Sequence, residues 1–267
     1  MTPRIIMRLS KWALASLIFT STAAFGGQIF STGFEAPTYT IGAINGQNGW
    51  QLYNPAFSLD NVESTLVDSG SQAAWIIPTS AGQSGMYHTD TASGSPLIDL
   101  NADLYIASSS TESSWQFAGL GSGLFPFIGG IDLDTNGSGS ATDTIYAISN
   151  VGGSFPAVGS FSLNTWHDVD LLFNFGTQTY SVALDGTTLA SGLAFCNDNA
   201  HCTTPGTISE GTFLSFFDVI AGANANDLGA IDNLSLTSVA PEPASYVLTG
   251  IALLAVALLR RRRYSVS

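Results

Sequence analysis

The chain has 267 residues, 45% of them hydrophobic, with twenty Asp and Glu against seven Lys and Arg and a net charge of −13. The cations are Arg4, Arg8, Lys11 and Arg260 to Arg263, so residues 12 to 259 carry none, while every acidic residue lies between Glu35 and Glu242. Such a body cannot neutralise phosphates, which excludes nucleic-acid binding, and its carboxylates must be solvated, hydrogen-bonded, protonated or paired with metal ions.

In chain order, MTPRIIMRLSKWALASLIFTSTAAFGG places Arg4, Arg8 and Lys11 before the apolar stretch Trp12 to Phe19, followed by small residues. This is the layout of a secretory signal peptide over residues 1–26, cleaved after Ala24 or Gly26 and read by the Sec translocon. The body, residues 27–239, follows as one domain. Its apolar residues come in short alternating runs between Gly, Asn, Asp and Ser clusters, which predicts an all-β fold. The expected strands are Ile29 to Glu35, Thr65 to Asp68, Ala73 to Pro78, Leu97 to Ala107, Ser114 to Ala118 and Phe127 to Leu133. Five more are expected at Thr144 to Ser149, Trp166 to Phe173, Thr179 to Leu184, Thr212 to Ile220 and Ala230 to Thr237. So many strands without helices predict two packed sheets.

Between two of these strands, DLDTNGSGSATD (residues 132 to 143) spaces oxygen-bearing side chains like a calcium loop. Asp132, Asp134, Asn136, Ser138 and Asp143 are the candidate ligands, arranged around Gly137 for a hard cation that takes six to eight oxygens. Three features depart from that pattern: Asp at the last position instead of Glu, Gly139 in place of an apolar residue, and flanking strands. An Asx-rich connection between strands is the other reading.

WHDVDLLFNFGTQTYSVALDGTTLASG (residues 166 to 192) is the clearest unit. Val169, Leu171 and Phe173 alternate with polar neighbours, as do Tyr180, Val182 and Leu184, which predicts a hairpin with one buried face. Asp185-Gly186 supplies a second tight turn. Cys196 and Cys202 are the only cysteines. In an exported chain a disulfide between them is the default, with free thiols or a zinc site using His201 as alternatives. Trp50, Trp75, Trp115 and Trp166 are core or sugar-stacking candidates, with Trp50 favoured as a glycan contact because it follows the Gly-rich NGQNG loop.

At the far end, Ala244 to Leu259 is an uncharged run of 16 residues. As a helix it spans about 24 Å, short of the roughly 30 Å of hydrocarbon, a gap that snorkelling arginines and local thinning cover. By the positive-inside rule Arg260, Arg261, Arg262 and Arg263 stay cytoplasmic and the body lies outside. Pro241, Glu242 and Pro243 stand directly before this run. The three parts together, residues 240–267, resemble the PEP-CTERM sorting signal, the substrate tag of the exosortase system in Gram-negative, exopolysaccharide-producing bacteria. The resemblance implies export through the inner membrane, a transiently anchored precursor, cleavage near Pro241 to Pro243 by an exosortase-type enzyme, and a mature form at the surface or in the extracellular matrix. A simple membrane anchor behind a Pro-rich stalk is the alternative.

FEAPTYTIGAINGQNGW near the start, the hairpin from Trp166 to Gly186 and the closing AIDNLSLTSV resemble the concanavalin A-like lectin/glucanase jelly roll over residues 29 to 239. That resemblance implies a β-sandwich whose concave face or rim loops bind carbohydrate. The Glu-x-Asp-x-x-Glu strand of its laminarinase-like members is missing; Asp168-Val-Asp170 is the nearest spacing and lacks both Glu. Gly-x-Ser-x-Gly, His-Glu-x-x-His and a P-loop are absent too. The expected function is therefore a non-enzymatic surface or matrix protein, with exopolysaccharide binding as the finer expectation. The rivals are a carbohydrate-active enzyme with an unrecognised carboxylate pair and a structural protein bridged by calcium.

Overall fold

The computed structural model describes residues 26–79, 82–92, 95–107, 112–121, 127–136, 142–149, 155–196, 208, 211–219 and 227–239. The signal-peptide and sorting segments, Ser138, His201 and Cys202 lie outside these residues. Gly26–Val239 groups into one compact unit. Among the described residues no helix is long and apolar enough to cross a membrane.

Among the described residues sixteen strands form two antiparallel sheets, with one 3-10 turn at Gln47–Gly49. In order they are β1 (Gly27–Thr32), β2 (Gly42–Ala43), β3 (Gln51–Tyr53), β4 (Ser58–Glu63), β5 (Ala73–Pro78), β6 (Ser84–Thr91), β7 (Leu97–Ile106) and β8 (Glu112–Leu120). Then come β9 (Phe127–Asn136), β10 (Thr142–Ala147), β11 (Ala157–Ser162), β12 (Trp166–Asn174), β13 (Thr179–Leu184), β14 (Thr187–Ala194), β15 (Thr212–Val219) and β16 (Gly229–Ser238). The nine-stranded sheet runs β14-β13-β12-β7-β16-β5-β4-β2, with β1 also paired to β16. The seven-stranded sheet runs β11-β10-β9-β8-β15-β6-β3. The chain passes repeatedly from one sheet to the other, and the result is a jelly-roll β-sandwich.

Period-two alternation explains the core. On β7, Ile98, Leu100, Ala102, Leu104 and Ile106 are buried between half-buried neighbours. On β12 and β13, Val169 pairs with Leu184, Leu171 with Val182 and Phe173 with Tyr180, all buried. Trp115 and Phe117 of β8 and Phe213 and Phe217 of β15 meet them from the facing sheet, in one continuous cluster. Each large aromatic buried here removes well over a hundred Å² from water, at roughly 25 cal/mol per Å². Tyr180 also ties the layers: its hydroxyl lies 2.7 Å from the Ile148 carbonyl and 2.9 Å from that of Gly130.

One expected strand does not form, and six strands were not expected: β2, β3, β4, β6, β11 and β14. Thr65 to Asp68 form bends, not a strand. β4 went unforeseen because its alternation is inverted: Ser58 and Asp60 point inward with Val62, while Leu59 is 54% exposed. The Ser58 hydroxyl donates to Asp60 Oδ1 and sits 2.7 Å from that of Ser84, while Asp60 Oδ2 is buried without a hydrogen-bond partner.

Candidate functional site

The outer face of the seven-stranded sheet carries an ordered polar row. Register places Tyr53 of β3 opposite Gly85 of β6, Gly85 opposite Asp218 of β15, and Asp218 opposite Gln116 of β8. Gln116 in turn faces Asp132 of β9, and Asp132 faces Tyr146 of β10. Pleating fixes the direction of the side chains: Phe217 and Val219 flank Asp218, and Trp115 and Phe117 flank Gln116, all packed in the core, so the polar residues between them point the other way. Neighbouring strands stand roughly 4.8 Å apart, so the row from tyrosine to tyrosine spans five such steps.

The row is electrostatically unusual. Asp218 is 0% exposed and Gln116 only 5%. Gln83 donates to one Asp218 oxygen at 2.8 Å, while Asp218 Oδ1 and Gln116 Oε1 are buried with no hydrogen-bond partner. Burial holds the Asp218 carboxyl well above its ordinary range, against the Gln83 hydrogen bond, and the charges of Asp132 and Asp60 add to the shift. Asp132 is pushed up to about 6, chiefly by burial, while hydrogen bonds from Ser114 and Gln116 act in the opposite direction. No Lys or Arg exists in the body to compensate either group.

A second apolar cluster on the same face flanks the row along one side, two residues further along the same strands. Ala118, Leu120, Phe127, Ile148 and Phe216 pack together there with Cys196, and Tyr53, Tyr87 and Phe155 lie against them. The Cys196 amide donates to the Ile128 carbonyl at 3.0 Å, which brings the segment after β14 onto this sheet. Cys196 is buried and disulfide-bonded.

Four of the residues proposed as calcium ligands lie on two adjacent strands. Asp132, Asp134 and Asn136 lie on β9 and Asp143 on β10. Asp132 and Asp134 share the outer face, whereas Asp143 follows the pleat of core residue Ile145, is 2% exposed, and points the opposite way. Among the described residues no group of three or more His, Cys, Asp or Glu is arranged to hold a metal ion. Trp50, the favoured glycan contact, is 1% exposed; its indole N–H donates to the Tyr39 hydroxyl at 3.1 Å and its ring packs on Phe34. Its faces are spent in the core and offer no stacking surface. Trp115 is likewise core, and Trp75 and Trp166 are half-buried.

The outer face of the nine-stranded sheet is acidic instead. Asp168 of β12 stands directly opposite Asp103 of β7, and Asp170 opposite Asn101. Asn101 donates to Asp168, and Asn233 donates to Asp103 at 2.8 Å and to Asp68 at 3.2 Å, so amides do the work that cations do elsewhere. Asp99 is pushed up to about 7 by burial and by Asp170 and Asp168 beside it. A separate open cleft of about 400 Å³, lined by Ser31, Thr32, Glu35, Tyr39, Asn48 and Asn233 among others, lies where β1 meets β16. Glu35 is engaged there already, accepting hydrogen bonds from Ser71 and Gln72.

No protein family matches this chain, and no curated protein does. Solved structures do share its fold. A sialidase superposes on 79% of the chain at a TM-score of 0.52 and 10% identity; the likeness takes in only 18% of the sialidase. The marine PL-14 alginate lyase from Aplysia kurodai aligns over 83% of this chain and all of its own, at 13% identity and a TM-score of 0.46. A xylan-binding CBM22-1 domain from Paenibacillus barcinonensis aligns over 82% and 100%, at 10% identity and a TM-score of 0.41.

Proposed function

We propose that this chain is an exported, non-enzymatic surface or matrix protein that binds carbohydrate on the outer face of its seven-stranded sheet. The observation that carries the reading is the row of Gln116, Asp132 and Asp218 bracketed by Tyr53 and Tyr146. Buried acceptors that lack partners are what sugar hydroxyls satisfy, and tyrosine rings at either end offer faces for apolar sugar surfaces.

Delivery rests on the two ends: the signal-like segment at residues 1–26, and Pro-Glu-Pro, apolar run and arginine cluster at the other, processed by an exosortase-type enzyme after passage through the Sec translocon. Terminal mass spectrometry of the protein from its producing cells tests this part, and a C-terminus that still extends through Ser267 refutes the processing. Retention on the producer's own polysaccharide tests the binding; release of reducing sugar refutes the non-enzymatic reading. The acidic outer face of the nine-stranded sheet, with Asp103 facing Asp168, favours a second reading: a structural protein bridged by calcium through that face. Assembly that chelation abolishes, without glycan retention, selects it.

A further inference from the structure

Two unpartnered, deeply buried acceptors stand side by side in the polar row, Gln116 Oε1 on β8 and Asp218 Oδ1 on β15, and their strands are adjacent. Leaving a buried polar atom unpaired costs about 1–3 kcal/mol, so a fold keeps such atoms only where something else fills them. The surroundings set what that can be. Asp132 is the next group along the row, with Asp134 on the same face of β9. Ser114 and Gln116 already spend donors on Asp132, and Gln83 spends one on Asp218. The face therefore offers acceptors, holds carboxylates on both sides of Gln116, and has no cation within reach anywhere in residues 12 to 259.

Resting on the carbohydrate reading above, we infer that this face selects a glycan segment free of carboxylate and sulfate groups, whose hydroxyls donate to Gln116 and Asp218, and that Gln116 is the residue that sets this selectivity. A uronate or sulfate brought to the row meets Asp132 with nothing to neutralise it, and like charges at such separations repel strongly where water is excluded.

The test uses the full chain in a non-glycosidic detergent, with EDTA present throughout so that no metal bridges an acidic sugar. Affinity electrophoresis is run against mixed-linkage β-glucan and galactomannan as uncharged probes, and against alginate and polygalacturonate as anionic ones. Retardation by at least one uncharged glycan, with none by the anionic pair, is the expected result. Equal or stronger retardation by an anionic glycan overturns the selectivity but leaves carbohydrate binding standing; no retardation by any of the four, nor by the producer's polysaccharide, overturns the binding reading itself. Gln116→Met keeps the side-chain length and removes its polar end. The expected outcome is at least a tenfold loss of affinity for the uncharged glycan with an unchanged or higher Tm. A lower Tm with unchanged affinity makes Gln116 merely structural and overturns its role. Gln116→Glu, which keeps the acceptors and adds charge, is expected to bind more weakly without changing fold, and unaltered affinity there counts against the inference equally.

Discussion

Phe30 lies flat on His88, with ring centroids 3.8 Å apart and planes inclined by 13°. The contact joins β1 to β6, strands that belong to different sheets, and Trp50 closes the imidazole from another side at 5.7 Å. His88 Nδ1 is 2.9 Å from Asp90 Oδ2 and Nε2 is 3.0 Å from the Asn48 carbonyl. With Asp90 ionised both partners are acceptors, so the two bonds form together only when both ring nitrogens carry hydrogen. Gly49 makes the approach possible: it sits at φ +90°, and a Cβ there would lie 2.9 Å from Nε2. His88→Leu keeps bulk but strands the Asp90 carboxylate and is expected to cost about 2–3 kcal/mol. Phe30→Leu loses only the stacking, about 1 kcal/mol. Urea midpoints of the two variants and of His88→Leu/Asp90→Asn check this; the double variant recovers part of the loss if the stranded carboxylate is its cause.

Gly85 carries a sharper steric demand. A Cβ at this position would lie 2.3 Å from the Phe217 carbonyl oxygen and 2.5 Å from Asp218 Cα, contacts with backbone that cannot swing aside. The bare glycine is what lets β6 press against β15 beside Asp218. Gly85→Ala is therefore expected to destabilise by about 2–3 kcal/mol, at the upper end of overpacking costs, and to weaken glycan retention through displacement of Asp218. Thermal denaturation and affinity electrophoresis, run on the same preparation, read the two effects; an Ala variant with wild-type Tm refutes the close approach.

Strands with one clean apolar face were legible in the sequence. The hairpin of β12 and β13 has the expected inward set, and its second turn at Asp185-Gly186 takes positive φ at both residues, 49° and 72°. β4 was illegible because Ser58 and Asp60 point inward while Leu59 points to solvent, so its pattern has no apolar face to find. β6 is similar, with Ser84 and His88 directed to the interior. The polar row stayed hidden for a related reason. Gln116 between Trp115 and Phe117, and Asp218 between Phe217 and Val219, each look like a single polar residue in an apolar run. Only the pairing of β8 with β15, strands 92 residues or more apart in sequence, makes them neighbours. A lone Asp inside FLSFFDVI was the available signal, since a buried strand does not hold a carboxylate without cause.

Trp50 illustrates how a loop position misleads. NGQNG is a Gly-rich loop, but its 3-10 turn folds back so that the Trp50 amide donates to the Gln47 carbonyl at 3.0 Å and the indole turns inward to Tyr39. Trp50→Phe is expected to leave glycan retention unchanged and to lower stability by about 1–2 kcal/mol, from the lost hydrogen bond and smaller ring. Loss of retention with intact stability would return Trp50 to the ligand.

Stability should also depend on pH in an uncommon direction. Asp60, Asp132 and Asp232 are each raised to about 6 and Asp99 to about 7, in every case chiefly by burial. Among the described residues Glu35 is the shifted carboxylate that goes down, through its hydrogen bonds from Ser71. For the raised group the folded state binds more protons than the unfolded chain between the unfolded value of 3.8 and the folded values of about 6 to 7. The slope of unfolding free energy with pH is then negative across that window: the stabilisation is complete near its lower end and is lost as pH rises through it. Glu35 acts in the opposite sense only below its ordinary value, where it begins to take up a proton. Allowing for solvent screening of the half-exposed members, Tm at pH 5 is expected to exceed that at pH 7.5 by about 5 °C. Asp60→Asn and Asp132→Asn, each isosteric and uncharged, should flatten the profile, most of all when combined, because they remove groups whose ionisation opposes folding. Calorimetric melts at intervals across this range decide the matter; a Tm that climbs steadily from pH 5 to 7.5 means that these carboxylates are ionised and compensated in the folded protein.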